Sequence, residues 1–306
     1  MRARYPEQEG FVERNGVSIF YEVFGTGEPT VLLLPTWSIL HSRLWKAQVP
    51  YLARHCWVIT FDGRGNGRSS RPAGADAYSD RGFAADALAV MDATATRRAV
   101  LVSFSLGTLW ALLLAAEHPE RVAGAVFIST RLPAPLYHPD HMVYSFIDVL
   151  DTDEGWAKYN RHSWLKDYHG FLQFFMSQIF TEPHSTKQIE DAVGWGLETT
   201  PEVLIATADA PYAVNKETTE EFAHRVRCPV LVIHGDEDAI IPHAHGARLA
   251  EMTGGTLVTI EGGGHGPQCR DPVKVNLLLH DFIQPAPAPT LTWRAWACAA
   301  RRRHRR

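Results

Sequence analysis

The chain is poor in cysteine and has no long apolar run, and each shortage narrows what it can be. Cys56, Cys228, Cys269 and Cys298 are its four cysteines in 306 residues. They are widely spread and form no C-x-x-C pair, which excludes a disulfide scaffold and a Cys-rich zinc site. They read as free thiols of a reducing compartment. No stretch reaches the roughly 18 consecutive apolar residues that a membrane span requires. The first ten residues, Met1 to Gly10, hold no apolar core of the kind a secretory signal carries. A cytoplasmic location is therefore expected. Positive charge is also scarce outside one end. Residues 285–306 carry six arginines and no acid, so the net charge of −4 leaves −10 on residues 1–284. An acidic body is a poor match for nucleic acid, and neither nucleic acid nor a membrane is expected as a partner. The tail itself, Pro- and Ala-rich and then Arg301-Arg302-Arg303-His304-Arg305-Arg306, reads as a disordered appendage outside the fold.

What is present is ordinary for a globular protein, with 45% apolar and 21% charged residues. The chain is long enough for one large α/β domain with an insertion, or for two modest domains. Two β segments, Gly10–Arg14 and Val17–Phe24, flank an Asn15-Gly16 turn that favours a hairpin. Short apolar runs follow at Thr30–Leu34, Trp57–Phe61, Arg98–Val102 and Gly124–Ser129, the pattern of strands buried on both faces. Helical stretches lie between them, near Trp45–Leu52, from Arg81 to Ala95 with Phe83, Ala87, Val90 and Met91 on one face, and from Leu106 to His118. After Leu132 the rhythm breaks. Residues 132–223 offer helical stretches but no comparable strand, and hold 14 aromatic residues in 92 positions against 10% over the chain. The rhythm returns with Pro229–His234, a helix near His243–Met252, Thr256–Ile260 and a closing helix at Pro272–Phe282. Alternating strands and helices predict a mostly parallel sheet with helices on both faces. The expected division is a core in two parts (1–131 and 224–284), an inserted helical cap (132–223) and the tail (285–306).

The chemistry centres on Ser103-Phe104-Ser105-Leu106-Gly107, a serine on a tight turn between a strand and a helix. Crowding at such a turn demands small residues two positions either side, which Ser103 and Gly107 satisfy. A serine hydroxyl is a weak nucleophile and needs a base, with a third group to orient that base. His265, in Gly262-Gly263-Gly264-His265-Gly266-Pro267, is the base candidate. Asp236 and Asp238, in Gly235-Asp236-Glu237-Asp238-Ala239-Ile240-Ile241-Pro242, are the acid candidates. Both loops follow strands, so both should reach the sheet edge that carries Ser105. The backbone N–H of Leu106, just after the serine, is placed to stabilise an oxyanion. Other histidines do not cluster. His138 and His141 flank Pro139-Asp140 without a third ligand, and His243 and His245 read as surface residues at a helix start. No metal and no cofactor are expected. The cap aromatics, Trp156, Tyr159, Trp164, Tyr168, Phe171, Phe174, Phe175 and Trp195, divide between a core of their own and an apolar pocket above Ser105.

These motifs resemble the α/β-hydrolase superfamily over residues 10–284. The serine turn is similar to its G-x-S-x-G elbow, with Ser103 in place of the first glycine, and the order Ser, Asp, His is the same. The pattern G-x-x-D-x-x-x-P implies Asp238 as the acid and leaves Asp236 as a turn residue. Some relatives take the acid from the loop after the preceding strand, which here reads Ser129-Thr130-Arg131 and has no carboxylate. The resemblance implies a second oxyanion N–H at Trp37, where relatives read H-G-x and this chain reads Pro35-Thr36-Trp37. Asp62-Gly63-Arg64-Gly65-Asn66-Gly67-Arg68-Ser69 resembles a D-x-R-G-x-G-x-S signature of the superfamily and is read as structural. A serine rather than an aspartate on the elbow sets the chain apart from haloalkane dehalogenases and epoxide hydrolases. Leu32–Ser38, Asp151–Trp156 and Gly194–Pro201 look similar to esterases of antibiotic-resistance gene cassettes, some of which open macrolide lactones. The resemblance thus implies a serine hydrolase for a bulky ester or lactone, a small-molecule partner and no cofactor. Enol-lactonase, C–C hydrolase, acyltransferase and triad-retaining receptor functions share the same motifs.

Overall fold

The computed structural model describes residues 4–133 and 143–284. The arginine-rich tail, His138 and His141 lie outside the described residues. Eight strands form one sheet: β1 (Gln8–Arg14), β2 (Val17–Phe24), β3 (Thr30–Leu33), β4 (Trp57–Phe61), β5 (Ala99–Phe104), β6 (Val122–Ile128), β7 (Val230–Gly235) and β8 (Thr256–Ile260). Their order is β1-β2-β4-β3-β5-β6-β7-β8. Strand β2 is antiparallel to β1 and β4, and from β4 onward every pairing is parallel. This is the mostly parallel α/β sheet that the alternating pattern predicted.

The strands are apolar throughout because both faces are covered. Val31, Leu33, Val100, Val102, Val126, Ile128, Leu231 and Ile233 pack on one side. Leu32, Leu101, Ala125, Phe127, Val230 and Val232 pack on the other, following the two-residue period of a strand. The helices are α1 (Val49–Leu52), α2 (Asp80–Ala93), α3 (Gly107–Glu117), α4 (Arg161–Lys166), α5 (Tyr168–Ile179), α6 (Thr186–Gly196), α7 (Pro201–Ala208), α8 (Thr219–Arg225), α9 (Ala244–Thr253), α10 (Pro267–Arg270) and α11 (Pro272–Ile283). Side chains of α2, α3, α8 and α9 cover the face with Leu32 and Leu101. Those of α1 and α11 cover the face with Val31 and Val100.

Between the adjacent strands β6 and β7 the described residues form no strand. Its described part is helical, and Trp164, Phe171, Leu172, Met176 and Leu204 bury against one another and their neighbours there. The Asp62–Ser69 stretch is a buried brace. Asp62 accepts from the N–H groups of Ser42 (3.1 Å) and Arg68 (2.8 Å). Arg64 grips Asp86 with two hydrogen bonds of 2.7 Å, and Arg14 adds a third of 2.7 Å to the same carboxylate. Two differences in extent have local causes. Strand β5 runs on to Phe104, because Ser103 and Phe104 pair with Phe127 and Ile128. The helix expected at Trp45–Leu52 breaks into a 3-10 turn at Ser42–Trp45 and the short α1, which carries Pro50 in its first turn.

Candidate active site

Strand β5 delivers Ser105 to the carboxyl edge of the sheet, and α3 leads away at once. Ser105 is a non-glycine residue in the left-handed region, with φ of +51°, a conformation that costs on the order of 1–3 kcal/mol. The turn is held by its neighbours. Ser105 N–H donates to Ile128 O (2.9 Å), and Thr108 N–H donates to Ser105 O (3.0 Å). Gly107 is required because a Cβ there would run into the Pro35 carbonyl. That close approach sets the Pro35–Trp37 loop against the start of α3. Ser103 does more than fit, since its buried hydroxyl donates to Val126 O (2.9 Å) and ties β5 to β6.

The structure brings Ser105, His265 and Asp238 together. His265 Nε2 lies 2.9 Å from Ser105 Oγ, and His265 Nδ1 lies 2.8 Å from Asp238 Oδ2. Asp238 is buried, and its Oδ1 accepts from the N–H groups of Ile240 and Ile241, both at 2.8 Å. Burial by itself would raise its pKa. The neighbouring His265, helped by His234, overrides burial and holds the carboxyl well below the usual carboxylate range. An ionised Asp238 keeps the His265 proton on Nδ1 and leaves Nε2 free to accept from the Ser105 hydroxyl. Asp236 is a turn residue, as expected. Its Oδ1 accepts from Gly262 N–H (2.7 Å) and ties the Asp238 loop to the His265 loop. The two loops touch so closely that a Cβ on Gly235 would overlap the Gly263 carbonyl.

Trp37 and Leu106 both line the cavity above Ser105. Thr36 is buried, and among the described residues its hydroxyl has no hydrogen-bond partner. The cavity measures about 360 Å³ and is walled by Phe146, Trp156, Tyr159, Phe175 and Tyr212, with Ile240 and Ile241 at the Asp238 side. Of the aromatics singled out in the sequence, Trp156, Tyr159 and Phe175 face it, whereas Trp164 and Phe171 are buried in helix packing. Among the described residues no three His, Cys, Asp or Glu side chains are grouped as a metal site would require.

Two readings of the histidines need correction. His245 is buried, not on the surface, and its Nδ1 accepts from Leu132 N–H (3.0 Å). His243 is half-buried, with Nε2 2.9 Å from Thr259 Oγ1. The start of α9 is covered by the chain leaving β6 and by β8, which a helical pattern alone does not reveal. Sequence reasoning also missed His234, Glu182 and Arg131. His234, at the end of β7, is fully buried with Nε2 3.2 Å from Asp238 Oδ2 and 3.1 Å from Ile241 O. Its place four residues before Asp238 is the only sequence signal. Glu182, beyond α5, accepts from Gly264 N–H (2.8 Å) and so holds the His265 loop from the opposite side. Arg131 lines the cavity.

Comparison with known proteins follows the same lines. A family model described as alpha/beta hydrolase fold matches residues 29–272. Protein ABHD8 of Bos taurus is 29% identical over 255 residues, covering 80% of this chain and 54% of that protein, so the chain spans about half of that relative's length. A putative non-heme chloroperoxidase of Synechocystis sp. is 29% identical over 274 residues, 88% of this chain and 95% of that protein. A solved structure described as Est816, an N-acyl homoserine lactone degrading enzyme, matches with a TM-score of 0.73 and 26% identity, over 90% of this chain and all of that one.

Proposed function

The chain belongs to the α/β-hydrolase fold family, and on that premise we propose that it is a serine hydrolase of carboxylic esters or lactones with a bulky apolar part. The observation that carries the reading is the unbroken contact chain from Ser105 through His265 to Asp238, opening into an aromatic cavity. In this reading His265 Nε2 takes the Ser105 proton as Oγ attacks the substrate carbonyl. Asp238 holds the imidazole tautomer and stabilises the imidazolium. The backbone N–H groups of Leu106 and Trp37 receive the oxyanion, at the start of α3 where the helix dipole favours negative charge. The imidazolium then protonates the leaving alcohol, and an ester links the acyl group to Ser105. Water, activated by His265, attacks that ester and releases the acid. A lactone follows the same course and gains one water without fragmenting. The mechanism uses no cofactor.

The helices of 132–223 act in this reading as a cap that sets which acyl group reaches Ser105. The cavity volume lies at the lower end of the range for small-molecule sites. The test is a panel of 4-nitrophenyl esters, N-acyl homoserine lactones and macrolides, followed by mass spectrometry for addition of water. Ser105→Ala should lower turnover of an activated ester by roughly 10⁴-fold or more while the circular dichroism spectrum stays the same. Turnover retained in Ser105→Ala would overturn the proposal.

A further inference from the structure

An arginine stands in the aromatic cavity with no carboxylate partner among the described residues. Arg131 follows β6 and lines the cavity together with Ser105, Tyr159 and Tyr212. Its backbone is fixed relative to the serine turn. Arg131 N–H donates to Thr108 Oγ1 (3.2 Å), and Thr108 N–H donates to Ser105 O (3.0 Å). The side chain is half-buried, and its guanidinium carbon sits 5.9 Å from the centre of the Tyr212 ring. Its charge reaches two phenols of the wall, partly offsetting the rise that burial imposes on Tyr159 and Tyr212. The guanidinium shares a hydrogen bond with the Tyr212 phenol, and among the described residues neither a carboxylate nor a backbone carbonyl takes one from it. Asp80, the acid whose charge also reaches Tyr212, is already engaged by the N–H groups of Ala213 (2.9 Å) and Val214 (2.8 Å).

Most buried and half-buried arginines elsewhere among the described residues follow the usual rule that a desolvated charge is paired, the half-buried Arg270 having only the Pro183 carbonyl. Arg64 and Arg14 share Asp86, and Arg161 takes Asp209. Arg131 departs from it at the one place where a substrate would sit. A planar guanidinium fork matches a carboxylate with two parallel hydrogen bonds, and the aromatic walls weaken the competition from water. We propose that Arg131 is a specificity-determining residue and that the substrate of this site is an ester or lactone that also carries a carboxylate, which the guanidinium binds. The proposal rests on the serine-hydrolase reading and narrows its substrate to an amphipathic anion.

The test compares activated esters that differ by one carboxylate. On the acyl side the pair is 4-nitrophenyl hydrogen glutarate against 4-nitrophenyl pentanoate. On the alcohol side it is 4-acetoxybenzoate against its methyl ester. The wild-type protein should favour the anionic member of one pair by about tenfold or more in kcat/KM, the range of a hydrogen bond to a charged group. Arg131→Gln should bring that ratio close to one, and Arg131→Lys, which keeps the charge and loses the fork, should retain part of it. The readout is a ratio within one preparation, so a smaller folded fraction does not imitate the effect. A second measurement needs no variant: pentanoate should inhibit neutral-ester hydrolysis by the wild type about tenfold more tightly than pentanamide does. Equal kcat/KM within both pairs, or a preference that survives in Arg131→Gln, would overturn the proposal. Hydrolysis that persists in Ser105→Ala would instead overturn the serine-hydrolase reading, so the two failures are distinguishable.

Discussion

Replacing Asp238 by asparagine tests the proposed triad at its most constrained atom. The two oxygens of Asp238 are not equivalent. Oδ1 accepts from the N–H groups of Ile240 and Ile241, and Oδ2 accepts from His265 Nδ1 with His234 Nε2 3.2 Å away. An asparagine amide has one acceptor and one donor end. Its oxygen must take the Oδ1 position, because an NH₂ group there would face two backbone donors. The NH₂ end is then turned toward His265 Nδ1, which must lose its proton to accept. The proton moves to Nε2, which can no longer accept from Ser105 Oγ. The geometry survives with the wrong tautomer, a change that costs about 10⁴ in kcat in a Ser-His-Asp protease, or about 5.4 kcal/mol in activation free energy. The assay is initial-rate hydrolysis of 4-nitrophenyl butyrate, with Asp236→Asn beside it. Asp236 accepts one N–H from Gly262, which an amide oxygen can also do, so that variant should stay within about threefold of wild type, a change worth under 1 kcal/mol. A loss below tenfold in Asp238→Asn, or an equal loss in Asp236→Asn, would refute the reasoning.

Three further outcomes follow from other parts of the fold. Asp86→Ala strands the buried Arg64 guanidinium and should cost about 3–5 kcal/mol of stability in urea denaturation; a loss under 1 kcal/mol would remove the brace assigned to Asp62–Ser69. Gly107→Ala drives a methyl group against the Pro35 carbonyl, so it should destabilise by about 1–3 kcal/mol and lower kcat through the displaced Trp37 loop, and a variant with unchanged thermal midpoint and kcat would contradict the close approach. Asp238 has a depressed carboxyl pKa, so the stability it contributes is present above the value of an unfolded aspartate, about 3.9, and is lost as pH falls through its lower native value. Urea midpoints of wild type should therefore drop more steeply below about pH 4 than those of Asp238→Asn; parallel curves would show that Asp238 is not held low.

Much of this architecture is legible along the chain because its determinants are local. Apolar runs such as Val100–Val102 and Leu231–Ile233 state that both sheet faces are covered, and they lie where β5 and β7 are found. Small residues at 103 and 107 announce the tight turn, and the Gly262–Gly264 run announces a loop after the last strand. The superfamily resemblance implies Asp238 rather than Asp236 as the acid, and in the structure Asp236 accepts from Gly262 N–H while Asp238 faces His265. His243 and His245 show where local reading fails. A polar residue at the start of a helix looks exposed until another part of the chain packs over it, as Leu132 does over His245.

The order of strands and helices along the chain, the serine turn and the loops bearing Asp238 and His265 are written locally, since each depends on residues within a few positions of one another. That His265 reaches Ser105 across 160 residues of chain, that His234 is buried against Asp238, and that Glu182 holds the His265 loop from 82 residues away are set by the folded sheet. The fold also places Arg131, which the sequence marks only by the lack of an acid beside it, in the cavity beside Tyr212 with no carboxylate partner among the described residues. Propensity and periodicity act between neighbours in the chain. Burial, pairing and the absence of a partner are properties of neighbours in space, which the sheet creates when it draws the ends of β5, β6, β7 and β8 to one edge.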